Sequence, residues 1–328
     1  VAFAGTGVPT AKWLEAVTKE DGLPEMFMYL ACWTALWVGL FYLLSGTVER
    51  WTAAWPASTK PHENDRYWCA RNVIGIIHAV LISLITVPAA VALFLAPDKL
   101  RFGATGHLGV CAPGAERTDA WEWFFVVKAV AFAGLAFTAF TLADVVISVL
   151  HGLATWDFIV HHIAFISAGL IIRSHCMLPF NASMLLSMEA STPFLNYLLL
   201  IRHRGDAYKA AVQVNGILFM ILFVVFRLIL NTYGAVLLWL HFDTAMPPTV
   251  PSWQAQFLLV AVIAGSAVQF FWLPSIARTF GSGLLDLLGY GGGGCKGSPA
   301  DEGYVAIKGN GRSEQDSIPG RQQLTSKQ

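Results

Sequence analysis

Charge is scarce in this chain: 13% of its 328 residues are Asp, Glu, Lys or Arg, and 21 basic residues face 21 acidic ones. A sparse, balanced charge gives no basis for recognising nucleic acid or any other highly charged macromolecule. Cysteine is sparse as well, and the five at 32, 69, 111, 176 and 295 show no CxxC or other metal-ligand spacing, so no metal site is expected. Val1 to Gly22 is too mixed in character for a secretory leader. The last long apolar run, 256–278, has no lysine, which removes the Schiff-base residue that a retinal protein needs. Internal repeats are absent.

What is abundant is apolar surface. Hydrophobic residues make up 55% of the chain and it has 12 Trp, more than one soluble core of this length can hide. A helix crosses the hydrocarbon layer in roughly 20 apolar residues. Seven runs fit or nearly fit, at 26–47, 72–96, 121–147, 155–172, 177–201, 210–240 and 256–278. The fold class is therefore all-α, a polytopic membrane protein with seven transmembrane helices. The fourth run is the shortest and carries two His. Polar loops such as PASTKPHENDR and FDTAMPPTVPS punctuate the runs.

Basic residues orient the bundle. One side receives Arg50, Lys60, Arg66 and Arg71, then Arg202, Arg204 and Lys209, then those that follow the last run; the other has Lys12, Lys19, Lys99, Arg101, Arg117 and Arg173. The richer side is cytosolic by the positive-inside rule, which predicts a cytosolic C-terminus and a lumenal N-terminus. Cys111 and Cys176 then share the oxidising side and are candidates for a disulfide. Asn181-Ala-Ser is a formal glycosylation sequon at the start of a span and is expected to be unmodified. From about residue 290 a Gly-rich polar tail is expected to be disordered, with Cys295 as an unmodified thiol or a palmitoylation site.

Ionisable groups inside the spans are the functional signal, because each costs at least about 2.5 kcal/mol at membrane depth. Between Thr141 and Ile172 the sequence sets Asp144 and His151 near the end of one span, and Asp157, His161 and His162 in the first turns of the next. With the topology above, His78 and Asn196 fall at a similar, cytosolic depth. Asp157 and His161 are i and i+4 and share a helix face, while His162 points about 100° away, so two imidazoles can line adjacent walls of one cavity. A carboxylate beside an imidazole makes a general base. Glu189 lies near mid-bilayer, where Pro193 frees a backbone carbonyl and predicts a kink. Arg227 is its natural counter-ion, although it is expected nearer the lumenal side.

Three segments, CARNVIGIIHAV at 69–80, LADVVISVLHGLATWDFIVHHIAFI at 142–166 and MEASTPFLNYLLLIRH at 188–203, resemble in this order the signature segments of the TLC-domain family, which includes the ceramide synthases and their non-synthase relatives. The resemblance covers about 68–280. It implies a helical bundle around a lipid-accessible cavity, residence in the endoplasmic reticulum or a related endomembrane, and a role in membrane lipid metabolism or homeostasis. The domain division that follows is 1–67 with the first transmembrane helix, 68–280 as a six-helix TLC domain, and 281–328 as the tail. In ceramide synthases the paired histidines carry N-acylation; the matching positions here are His161 and His162. Where those enzymes continue into an HD-containing acidic stretch, this chain has Met188-Glu189-Ala190-Ser191-Thr192-Pro193, which places it nearer the non-synthase branch.

Two readings follow. In the first the protein is an acyltransferase that moves an acyl group from acyl-CoA to a lipid acceptor: His161 is the base, His162 a second base or oxyanion partner, Asp157 the orienting acid and Glu189 an acid or charge holder. His78, Asp144, His151, Asn196 and Arg227 would line the place of ligand or co-substrate, and no cofactor is called for. In the second it is a non-enzymatic lipid-binding or trafficking protein whose imidazoles bond neighbouring helices. Membrane lipids are the partners in both, acyl-CoA only in the first, nucleic acid in neither, and homo-oligomerisation is open.

Overall fold

A computed structural model gives the structure of the protein and describes residues 23–97, 101, 121–175, 177–248 and 250–287. Their regular structure is entirely helical, and seven segments are long and apolar enough to cross a membrane. The first four are single helices: α1 (Leu23–Thr52), α2 (Arg66–Phe94), α3 (Trp121–Leu150) and α4 (Trp156–His175). The fifth span is broken into α5 (Pro179–Leu186), a 3₁₀ turn (Ser187–Ser191) and α6 (Thr192–Ile201). The sixth has α7 (Lys209–Leu222), a π-helical stretch (Phe223–Leu230) and α8 (Asn231–Leu240). The seventh is α9 (Ser252–Leu287), which continues past the run expected to end at 278. Cys111, Cys176, Cys295 and the tail expected to be disordered lie outside the described residues.

Local chemistry sets the boundaries that matter for function. Asp65 caps α2, its carboxylate accepting from the backbone N–H of Tyr67 at 2.8 Å and Trp68 at 3.0 Å. At the end of α3, Gly152 takes a left-handed φ of 65° and Leu153 N–H returns to the Ser148 carbonyl at 2.7 Å, the six-to-one bond of a Schellman turn. The turn is short enough to fold α4 directly back along α3. Asp144, near the end of α3, and His162, near the start of α4, thus come to one depth.

The chain closes a ring. α2 packs on α3, α3 on α4, α4 on α9, α9 on the sixth span, the sixth on the fifth, and the fifth back on α2. α1 lies outside the ring against α2 and α3. Two close approaches depend on glycine: Gly75 of α2 faces the Asn196 amide of α6, and Gly169 of α4 meets the Thr138 hydroxyl of α3. The sequon residue Asn181 is buried and donates to the Gly234 carbonyl at 2.8 Å, so its amide is already used between spans.

A second polar centre pins the first loop to the end of α6. Glu63 is buried and accepts from Ser58 Oγ at 2.7 Å, His203 Nδ1 at 2.8 Å and Arg202 Nη2 at 3.3 Å. Arg204 donates to the carbonyls of Leu200 at 2.6 Å and Pro56 at 2.8 Å. Burial alone would raise the Glu63 carboxyl; the Ser58 and His203 hydrogen bonds and the His203 and Arg202 charges outweigh it and hold the group below its ordinary value.

Candidate functional site

The ring encloses a cavity of about 400 Å³. Arg71 and Asp144 line one end, Val127 and Arg173 the other. At about 1.5 Å per residue the ends of its α3 wall, Val127 and Asp144, are roughly 25 Å apart, so the space is a slot. Phe137, Leu185, Leu186, Ile172 and Val262 make the middle apolar. Such a shape suits a hydrocarbon chain with a polar group at the end.

At that end α2, α3 and α4 each contribute one member of a network. Arg71 grips Asp144 with two parallel bonds, Nε to Oδ1 at 2.7 Å and Nη2 to Oδ2 at 3.0 Å. His162 Nε2 lies 3.2 Å from the same Asp144 Oδ2, and its Nδ1 lies 2.9 Å from the Phe158 carbonyl. Both ring nitrogens therefore face oxygens that accept, and both bonds form together when the ring carries two protons. His162 is thus pinned at both nitrogens, between a carboxylate and a backbone carbonyl. The Arg71 guanidinium also sits 4.6 Å over the Phe158 ring, which leaves it little freedom.

His161 differs from its neighbour. It lines the cavity, its ring centroid 4.6 Å from Phe165, 5.6 Å from His162 and 6.4 Å from Trp272 of α9, and among the described residues no hydrogen bond occupies either nitrogen. One imidazole is fixed and the other is available to a ligand.

The broken fifth and sixth spans form the facing wall. The kink expected at Pro193 is present: the 3₁₀ turn ends at Ser191 and a new helix starts with Pro193 in its first turn. The turn carries Glu189, which lines the cavity. Across from it Arg227, on the π-helical stretch, donates from Nε to Ser191 Oγ at 2.8 Å and from Nη2 to Thr192 Oγ1 at 2.9 Å. Arg227 thus reaches the two residues that follow Glu189 and Ala190 and lines the same cavity, closer to Glu189 than its position in the sequence indicates. π-helical segments often mark functional positions, since the extra residue re-aims the side chains after it.

Of the other residues singled out in the sequence, His78 is 1% exposed and stacks on Phe140 with centroids 3.8 Å apart, Trp37 meeting its edge at 5.5 Å; it is part of the cavity wall. Asn196 also lines the cavity, against Gly75. Two expectations are corrected. Asp157 is exposed in the first turn of α4, off the cavity lining and without a hydrogen bond to His161; the acid that orients an imidazole is Asp144, and the imidazole is His162. His151 is not on the cavity either: past the end of α3 it stacks on Tyr67 with centroids 3.8 Å apart and meets the Tyr42 hydroxyl at 3.3 Å.

Three residues of the candidate site are not singled out by the sequence. Arg71 counted there as a loop cation, but it stands in the second turn of α2; its sequence signal is its place in CARNV, after the capping Asp65 and directly before the apolar run. Ser191 and Thr192 appeared only as part of the run around Glu189, and their common role depends on a π-helical register that has no residue signature.

In comparisons with known proteins, the family model for the TLC domain matches residues 110–278, while no curated protein and no solved structure matches. α2, which supplies Arg71 and His78, precedes the matched range. With a match over more than half of its length and His161, His162, Glu189 and Arg227 inside it, the chain belongs to the TLC-domain family.

Proposed function

We propose that this protein transfers an acyl group from acyl-CoA to a membrane lipid within the cavity. Membership of the family implies a membrane lipid-related function. The observation that carries the finer reading is the asymmetry of the histidine pair: among the described residues His161 has no hydrogen-bond partner, while His162, one residue on, is held by Asp144 and the Phe158 carbonyl. His161 takes the proton from the hydroxyl or amine of the acceptor as that atom attacks the thioester carbonyl. His162 and Arg227, which line the same cavity, stabilise the negative charge that develops on the carbonyl oxygen. The carbon–sulfur bond then breaks, the pair leaves on the CoA sulfur, and His161 returns the proton to it. Asp144 and Arg71 are positioning residues. The acyl chain occupies the apolar slot. Residence in an endomembrane, which the family resemblance implies, accompanies this reading, as does a C-terminus in the cytosol, where acyl-CoA is found, which rests on the asymmetry of basic loop residues.

One feature favours a second, non-enzymatic reading. The Arg71–Asp144–His162 network satisfies itself, as a clamp between helices would, and a lipid could rest in the slot without reacting. The experiment that separates the two is conversion of radiolabelled palmitoyl-CoA by the purified protein in liposomes of mixed lipids. Transfer predicts a labelled lipid from the wild type and none from His161→Ala; the absence of label with the wild type selects the binding reading.

A further inference from the structure

The ring of six spans is not packed evenly along its length. At the far end of the slot α4 is tied to α9: His175 and Gln254 share a hydrogen bond at 2.7 Å, and Ala168, Ile171 and Ile172 pack with Leu258, Leu259 and Val262 in one apolar cluster. Towards the polar end the two helices turn to different neighbours. Among the described residues α4 joins that cluster from Ala168 onward and no earlier; before it, Phe165 meets Phe137 of α3 with centroids 5.8 Å apart, and His162 bonds Asp144. On the facing stretch of α9, Leu273 and Ile276 pack with Phe219 and Phe223 of the sixth span. Gly265 of α9 lines the cavity between these two regions, and a Cβ placed there would meet no atom of another helix within 4 Å. Two helices joined at one end and packed on separate partners at the other leave a seam, and where few contacts are made little is lost when it widens. The Trp272 ring stands beside that seam, its centroid 6.4 Å from that of His161; the residue is 39% exposed and off the cavity lining, so it looks out on the bilayer. We infer that lipid enters the slot sideways through this seam, from the leaflet beside the polar end, and that Trp272 is the residue that screens the doorway. A chain that takes this route stays in apolar surroundings, and His161, on the inner lip, is next to an acceptor on its way in. The inference rests on the reading of the cavity as a lipid site and adds the route of entry and the residue that controls it.

The test reads rates, without turnover. Full-length protein in nanodiscs receives monopalmitoylglycerol, and its occupancy is followed at timed intervals by native mass spectrometry. Trp272→Ala raises the loading rate about threefold or more and Trp272→Phe raises it less, as expected of a gate, while the final occupancy stays that of wild type because Trp272 is off the lining. Trp253, at the opposite end of α9 and 64% exposed, is the control, and Trp253→Ala leaves the rate unchanged. Both tryptophans are exposed, so the fold tolerates their loss. The direction of entry is read with a second probe, dipalmitoylglycerol with a diazirine in one chain. Its other chain holds it in the bilayer, so it reaches the slot sideways or not at all. Photolabel is expected on the buried lining residues Leu186 and Val262 in the wild type, and more of it in Trp272→Ala. One loading rate for wild type and Trp272→Ala, or photolabel confined to exposed residues, overturns the inference. Loading that responds to Trp272 in a protein that does not use palmitoyl-CoA sustains it and retires acyl transfer; transfer by a protein whose loading ignores Trp272 does the reverse.

Discussion

Asp144 holds two side chains at once, Arg71 by a two-pronged grip and His162 through the remaining face of Oδ2. Removing its charge leaves the half-buried Arg71 guanidinium without its counter-ion and His162 without its carboxylate partner, so Asp144→Asn is expected to lower stability by about 3 kcal/mol, read as a fall in the thermal midpoint of the purified protein. Arg71→Met in the same chain restores part of that loss, because the two substitutions act on one network. His161→Ala is expected to change stability by less than about 1 kcal/mol, read from the thermal midpoint, since no hydrogen bond among the described residues is broken. The histidine pair and the buried acids were legible as residues, because ionisable groups are rare inside apolar runs. Their partners were not. Asp157 and His161 have the right spacing on one helix, yet Asp157 falls in an exposed first turn, and which imidazole meets an acid is decided by a Gly152 turn that brings a different helix alongside.

At the scale of the element, the sequence announces one break and hides another. Pro193 identifies the kink of the fifth span, as the lost N–H requires. The π-helical stretch of the sixth is apolar apart from Arg227 and has no breaker, and it follows from packing against Ser191 and Thr192. Contact between α3 and α4 is equally specific. A Cβ on Gly169 would collide with the Thr138 hydroxyl, so Gly169→Ala is expected to cost about 1–3 kcal/mol, with partial relief from Thr138→Ala; the double-mutant cycle is read from unfolding midpoints. The Glu63 centre gives the first loop a pH dependence. Its carboxyl lies below the ordinary value in the folded protein, so the stability it contributes is complete above the ordinary carboxylate value and is lost as pH falls through the lowered one. Thermal midpoints measured from about pH 7 down to about pH 3 should fall on the acid side, and Glu63→Gln should start lower at neutral pH and fall less.

At the scale of the whole molecule, seven crossings were readable because apolar length is a direct consequence of bilayer thickness. The closed order of six spans, with α1 outside, was not, since it depends on which faces carry small residues and on short turns. That order turns scattered polar residues into one charged end on a slot of about 400 Å³. Ala164 lines this slot from α4 without belonging to the charged network, so a larger side chain there fills the space and leaves the polar end intact. The most direct test of the account is native mass spectrometry of the lipid that co-purifies with the wild type and with Ala164→Phe. A single-chain lipid is expected to be retained by the wild type and lost or shortened in the variant at unchanged thermal midpoint. Equal retention of the same lipids by both proteins would contradict it.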